Sequence, residues 1–147
     1  MQIRSQEFNE LTPQTLYQIL KLREKVFVLE QECLYQDLDD IDQHAWHTYM
    51  MEGDEVIAYA RTFYKEKESG VVQIGRVVTA PEHRRQKKAT EVFAGALDIA
   101  RRYLKADVVY LEAQTYAIPF YRNFGFEVTS DVFLEDGIPH VKMTLTC

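Results

Sequence analysis

The sequence predicts a mixed α/β domain, and two observations predict it. The β-branched run VVQIGRVVT (71–79) gives way at Ala80-Pro81 to apolar residues at helical spacing, Ala89, Val92, Phe93, Ala96, Leu97, Ala100 and Leu104. Strand character then returns in ADVVYLEAQ (106–114). A strand–helix–strand unit implies a parallel neighbour pair with the helix lying over it. The second observation is a pair of hairpin signals, Gly53-Asp54 and Asp136-Gly137, each set between strand-like runs.

The elements follow in order. MQIRSQEF (1–8) reads as an opening strand of weak alternation. Thr12-Pro13 is a helix start, a capping hydroxyl followed by a proline in the first turn, and Leu16, Ile19, Leu20, Leu22, Val26 and Phe27 carry the period onward. VLEQECLYQDLDDIDQ (28–43) breaks that period, holds Asp37, Asp39, Asp40 and Asp42, and reads as an irregular segment or short helix. HAWHTYMMEGDEVIAYARTFY (44–64) is a strand pair around Gly53-Asp54. AIPFYRNFGF (117–126) is a short helix closed by Gly125, and EVTSDVFLEDGIPHVKMTLT (127–146) ends the chain as two strands around Asp136-Gly137.

At 147 residues, 46% of them hydrophobic and 27% charged, the chain reads as one globular domain spanning residues 1–147. No stretch approaches the roughly 20 apolar residues of a membrane span, and MQIRSQEFNE has no apolar signal-like core, so a cytoplasmic protein without a membrane partner is expected. Cys33 and Cys147 lack metal-ligand spacing and read as free thiols. The net charge of −6 argues against a general nucleic-acid binder.

Against that acidic background, His83-Arg84-Arg85-Gln86-Lys87-Lys88 concentrates four positive charges at a helix start. Cations are disfavoured there, because the helix dipole is already positive and the first amides lack partners. A bound anion relieves both problems. The segment has no glycine, so neither the phosphate loop of nucleotide hydrolases nor the dinucleotide fingerprint fits. A diphosphate held by helix amides and flanking cations without magnesium, as in coenzyme A, suits it better.

Val77 to Arg84, with Gln86, Lys87 and Ala89, resembles the acyl-CoA-binding motif of the GNAT acyltransferase superfamily: a strand, a turn, then Arg/Gln-x-x-Gly-x-Gly/Ala opening a helix. Lys87 stands where the motif has its central glycine. Downstream, Ala117 to Phe126 is similar to the family's A-x-x-x-Tyr-x-x-x-Gly-Phe segment. Val26 to Gln31, Gln114-Thr115 and Gly137-Ile138-Pro139-His140 resemble its ElaA-like branch, so the resemblance spans nearly the whole chain. It implies a single-domain GNAT-like fold: a mixed, mostly antiparallel sheet, a central parallel pair and helices on both faces.

The resemblance also implies a function, acetyl transfer from acetyl-CoA to a primary amine by direct attack in a ternary complex, with no metal. Val77, Val78 and Thr79 would pair with the pantetheine, and Arg84, Arg85, Gln86, Lys87, Lys88, Ala89 and Thr90 would hold the pyrophosphate. The Val77 amide would polarise the thioester carbonyl. Tyr121 would touch the cofactor and protonate the leaving thiolate, since a phenol of ordinary pKa ~10 keeps its proton at neutral pH. The strand position where some relatives carry a catalytic glutamate is Gln73, which does not titrate. Glu30, Glu112, His140 or a water chain remain to take the amine's proton. Glu30, Gln31, Arg76, Gln114 and His140 are the expected acceptor-binding residues. The Asp37–Asp42 run is either part of the acceptor wall, favouring a cationic amine, or a solvated loop. Arg61 and Arg76 either reach the cleft or pair with nearby acids. His44, Trp46 and His47 read as strand residues. The acceptor is unidentified, and edge strands are able to pair across a homodimer. Two other classes compete: a non-catalytic acyl-CoA-binding module and a small nucleic-acid binder using the basic turn.

Overall fold

The computed structural model describes residues 2–147. Eight strands form one sheet: β1 (Ile3–Glu7), β2 (Trp46–Glu52), β3 (Glu55–Glu66), β4 (Val71–Thr79), β5 (Val108–Gln114), β6 (Glu127–Val128), β7 (Phe133–Glu135) and β8 (Ile138–Thr146). Their order is β1-β2-β3-β4-β5-β8-β6, with β7 also paired to β8. Every pairing is antiparallel except β4 with β5. The fold class is therefore the expected mixed α/β domain with one central parallel pair. The C-terminal segment differs from the expected two strands. β8 is long enough to take β7 along its first half and β6 along its second, so a third short strand forms.

Helix α1 (Pro13–Arg23) starts as its sequence dictates: Thr12 Oγ1 accepts the Thr15 amide at 3.1 Å and Pro13 opens the first turn. The apolar period then runs on through a π-helical turn, Glu24–Glu30, so Val26 is still buried. Helix α2 (Lys88–Arg102) follows β4, and helix α3 (Ile118–Arg122) follows β5.

Alternation along the strands sorts the two faces. Thr48, Ala60 and Val72 belong to the face under α2, where a Cβ on Gly95 would come within 3.1 Å of Thr48. Tyr49, Tyr59 and Arg61 point the opposite way, and Arg23 of α1 lies over the Tyr59 ring at 5.9 Å. Helices thus cover both faces. Phe93 of α2 is fully buried against Phe120, Tyr121, Phe124 and Phe126, with ring centroids 4.8–5.8 Å away. That aromatic cluster seats α3 beside α2.

In the acidic segment Asp37, Asp39 and Asp42 pair with arginines, while Asp40 is exposed. Arg23, 0% exposed, donates from Nε to Asp37 Oδ2 at 2.8 Å and from Nη1 to Asp42 Oδ1 at 2.7 Å. Arg61 donates to Asp39 and Asp42, and Arg76 Nε donates to Asp37 Oδ1 at 2.8 Å. Of the two readings open for Arg61 and Arg76, pairing with acids is the one observed. His47 is buried on β2, accepting the Tyr59 hydroxyl at Nδ1 (2.6 Å) and donating from Nε2 to the Asp42 carbonyl (2.9 Å). His44 departs from its expected strand and lies in the 3₁₀ turn Asp42–His44.

Burial alone raises the Asp39 and Asp42 carboxyls, but the arginine hydrogen bonds and charges outweigh it. Asp39 is brought down to about 2 and Asp42 falls below its ordinary value. With folded pKa values depressed, the stability these groups contribute is full above an unfolded pKa of ~3.9 and is lost as pH falls toward ~2. The thermal midpoint is expected to drop steeply across that window, and less steeply in Asp39→Asn. Removing Arg23 takes from Asp37 and Asp42 one of the two guanidiniums each of them meets, so Arg23→Ala is expected to cost about 3–5 kcal/mol in urea unfolding.

Candidate active site

β4 and β5 pair over only three positions, Val71–Val108, Val72–Val109 and Gln73–Tyr110. Beyond them β4 runs on to Thr79 and β5 to Gln114 without pairing, so the sheet parts into a cleft whose walls carry unpaired backbone groups. On its other side, β4 meets β3 with an irregularity. Tyr59 pairs with Val78 and Arg61 with Gly75, so Arg76 and Val77 together oppose Ala60. Arg76 takes φ 51°, and this bulge lifts both residues out of the ladder. The same turn of backbone sends the Arg76 guanidinium to Asp37 and Asp39, leaving its side chain 22% exposed. Most of the donors of Arg76 are committed to those two acids. Val78 is buried, while Val77 and Thr79 are half-buried.

The mouth of the cleft is the basic turn. After the 3₁₀ turn Pro81–His83, both Arg85 (φ 63°) and Lys87 (φ 61°) are left-handed, and Lys87 caps α2. Lys87 is not helical, which is what its substitution for the motif's glycine would require to be free of strain. A left-handed residue feeding a helix turns successive amides inward, a geometry that receives anions. No side chain caps this helix start, so the first amides from Lys88 onward are free of a side-chain partner.

Arg84 is engaged already, its guanidinium meeting Glu30 in two parallel bonds of 2.8 and 2.5 Å. Hydrogen bonding to Arg84 holds the Glu30 carboxyl below its usual range. That makes Glu30 a poorer base than an ordinary glutamate. Gln31 follows directly and is half-buried.

Tyr121 projects from α3, 8% exposed, its ring edge-on to Phe93 at 5.2 Å. Burial pushes its phenol up, so it keeps its proton through the neutral range. Among the described residues its hydroxyl has no hydrogen-bond partner. On the far wall, Gln114 stands opposite His140 in the β5–β8 register. His140 Nδ1 donates to the Ile138 carbonyl at 2.7 Å, and Nε2 lies 3.5 Å from Glu135 Oε2. Glu135 was not singled out from the sequence, although the Asp136-Gly137 turn places it three residues ahead of Ile138 and on the face of His140. Arg23 was missed as well, since its charge at an otherwise apolar period reads as the helix's polar edge. Among the described residues no group of three or more His, Cys, Asp or Glu could hold a metal ion. No helix among them is long and apolar enough to cross a membrane.

A sheet parted beside a parallel pair, with an amide-rich helix start at its mouth, is the architecture of CoA-dependent acyltransferases. Residues 7–147 match the acetyltransferase (GNAT) domain family, and the chain belongs to it. It is 39% identical over 140 residues to a UPF0039 protein of Schizosaccharomyces pombe, covering 94% of this chain and 92% of that one. It is 37% identical over 137 residues to the protein ElaA of Escherichia coli, covering 92% and 90%. The crystal structure of E. coli ElaA superposes with a TM-score of 0.91 over 97% of both chains at 34% identity. That of an acyl-CoA N-acyltransferase from Pseudomonas aeruginosa superposes with 0.89 over 98% of this chain and 99% of the other, also at 34% identity. Family membership supports acyl transfer from a CoA thioester.

Left-handed backbone costs an L-residue roughly 1–2 kcal/mol. Lys87→Gly is accordingly expected to raise the thermal midpoint by a few degrees, whereas Lys87→Ala, which removes the charge but keeps the strain, does not.

Proposed function

We propose that this protein transfers an acetyl group from acetyl-CoA to a primary amine of a small molecule or peptide, by direct attack in a ternary complex. The observation that carries the reading is the parting of β4 and β5 beyond Gln73 and Tyr110. A pantetheine arm supplies amides spaced to pair with the freed edge of β4 at Val77, Val78 and Thr79. The pyrophosphate would lie on the amides of Arg85 to Thr90, with Arg84, Lys87 and Lys88 around it. The local positive charge of an acidic protein then has a local partner.

The Val77 amide, next to the bulge, would donate to the thioester oxygen as it gains charge. The amine nitrogen attacks the carbonyl carbon, the C–S bond breaks, and the sulfur leaves with the electron pair. Tyr121 gives that sulfur its proton. The proton of the incoming ammonium leaves toward the β5–β8 wall, where Gln114 and His140 line the acceptor side, with Gln31 on the other lip. Arg84 would exchange Glu30 for phosphate when CoA binds, so Glu30 acts as a competitor for the cofactor's partner rather than as a base.

Three outcomes test this. Acetyl-CoA or CoA at ~100 times Kd adds about 2.7 kcal/mol, raising the thermal midpoint by roughly 5–10 °C, while ATP does not. No shift at millimolar acetyl-CoA would sink the reading. Tyr121→Phe is expected to lower kcat by about 10²–10⁴-fold in thiol release across a panel of lysine, a lysine peptide, a polyamine and an amino sugar, with the CoA-induced shift retained. Equal activity in both proteins would assign the proton to another donor, and no turnover in either would leave a CoA-binding module. Glu30→Gln is expected to tighten CoA severalfold by calorimetry, because Arg84 is no longer held.

A further inference from the structure

The wall of the cleft opposite Arg76 carries two carboxyls, Glu112 and Glu135, that the acyl-transfer reading leaves without a role. Directly opposed residues in an antiparallel pair share a face. Glu112 opposes Lys142 and Gln114 opposes His140 across β5–β8, while Phe133 opposes His140 and Glu135 opposes Ile138 across β7–β8. Glu112, Gln114, Glu135 and His140 therefore lie together on the sheet face away from α2, on the strand that parts from β4.

Within this set the hydrogen bonds run in one direction. The Tyr110 hydroxyl donates to Glu112 Oε2 at 2.6 Å. The Glu112 and Glu135 carboxyls lie near enough to act on each other, which favours a proton on one of them. His140 Nε2 is 3.5 Å from Glu135 Oε2. Because Nδ1–H is spent on the Ile138 carbonyl, it is Nε2 that faces that carboxyl. The Phe133 ring, stacked 6.0 Å from the imidazole, fixes its plane.

The two carboxyls are not equivalent. Burial raises both, but the Tyr110 bond and the neighbouring Lys65 charge bring Glu112 below its ordinary value. Burial and the adjoining Glu112 and Asp136 charges push Glu135 up to about 7, opposed by Arg76 across the cleft. The Glu135 side chain is 46% exposed, open to an incoming amine and to solvent.

We propose that Glu135 takes the proton that the acceptor ammonium sheds before attack, with Glu112 and His140 holding its carboxyl in place. This rests on the acyl-transfer reading above. The proton balance closes as follows. The ammonium loses one proton to the Glu135 carboxylate, which releases it to solvent. The amine's lone pair forms the C–N bond, the departing sulfur takes the Tyr121 proton, and the nitrogen's second surplus proton restores the Tyr121 hydroxyl. The products are an amide, free CoA thiol and one proton.

Below about 7 Glu135 already holds a proton and accepts none, so kcat/KM should rise with pH through that value. The test is the pH profile of kcat/KM with whichever panel amine turns over fastest, for the wild type, Glu135→Gln and Glu135→Asp. It is paired with a carbon-13 NMR titration of the glutamate carboxyls in the free protein. The expected result is a limb near pH 7 in the wild type that tracks a carboxyl titrating there. Glu135→Gln loses both, drops kcat/KM by about 10²–10⁴-fold and keeps its acetyl-CoA thermal shift, and Glu135→Asp recovers a limb. A Glu135→Gln profile that keeps the limb overturns the proposal, as does a Glu135 that titrates in the ordinary carboxylate range. A wild type that shows the carboxyl titration and binds acetyl-CoA but acetylates no amine overturns the acyl-transfer reading instead, and this proposal with it.

Discussion

One carboxylate, Asp37, ties three parts of the molecule together. Its Oδ2 accepts from Arg23 at the end of α1, its Oδ1 from Arg76 in the bulge of β4, and its backbone carbonyl from both guanidiniums. The segment between α1 and β2 is thereby clamped over one face of the sheet, and the bulge is held at a left-handed residue that would otherwise relax. Burying so many ions adds little net stability, because desolvation offsets most of the attraction. What the arrangement supplies is a single geometry, since a displaced arginine would strand a buried carboxylate.

The cleft is a consequence of that geometry. A parallel pair that zipped fully would leave no unpaired strand edge, and the three-position pairing of β4 with β5 ends two residues before Gly75, just where the bulge begins. Bulging raises local twist and turns β4 away from its neighbour. The two lips are then built from different devices. At the mouth, Arg85 and Lys87 are left-handed, a backbone geometry suited to receiving an anion. On the far wall, strand register alone gathers Glu112, Glu135 and His140, residues from three strands. Tyr121, seated by the aromatic cluster around Phe93, stands on α3 and belongs to neither lip.

Much of this was legible in the chain because it is local. The Thr12-Pro13 cap, the change of period after Pro81, the Gly53-Asp54 turn and the Gly125 helix end each depend on a handful of neighbouring residues, and each forms where the sequence places it. The charge excess at His83–Lys88 is similarly local, and it pointed to an anion before any fold was in view. At Lys87 the backbone is left-handed where the motif has a glycine, and the lysine side chain tolerates it.

The sequence by itself determined most of the elements, the one parallel pair and the basic turn at a helix start, because helix period, strand alternation and capping are set within a few residues. Only the tertiary structure decided which charges meet. Asp37 finds Arg76 across 39 positions, Glu30 finds Arg84 across 54, and Glu135 finds Glu112 from a strand that the sequence did not separate from its neighbours. Acids and bases are plentiful in this chain and nearly interchangeable as letters. Their partners, and so their basicity, are fixed by sheet register and loop closure, which no short stretch of residues specifies.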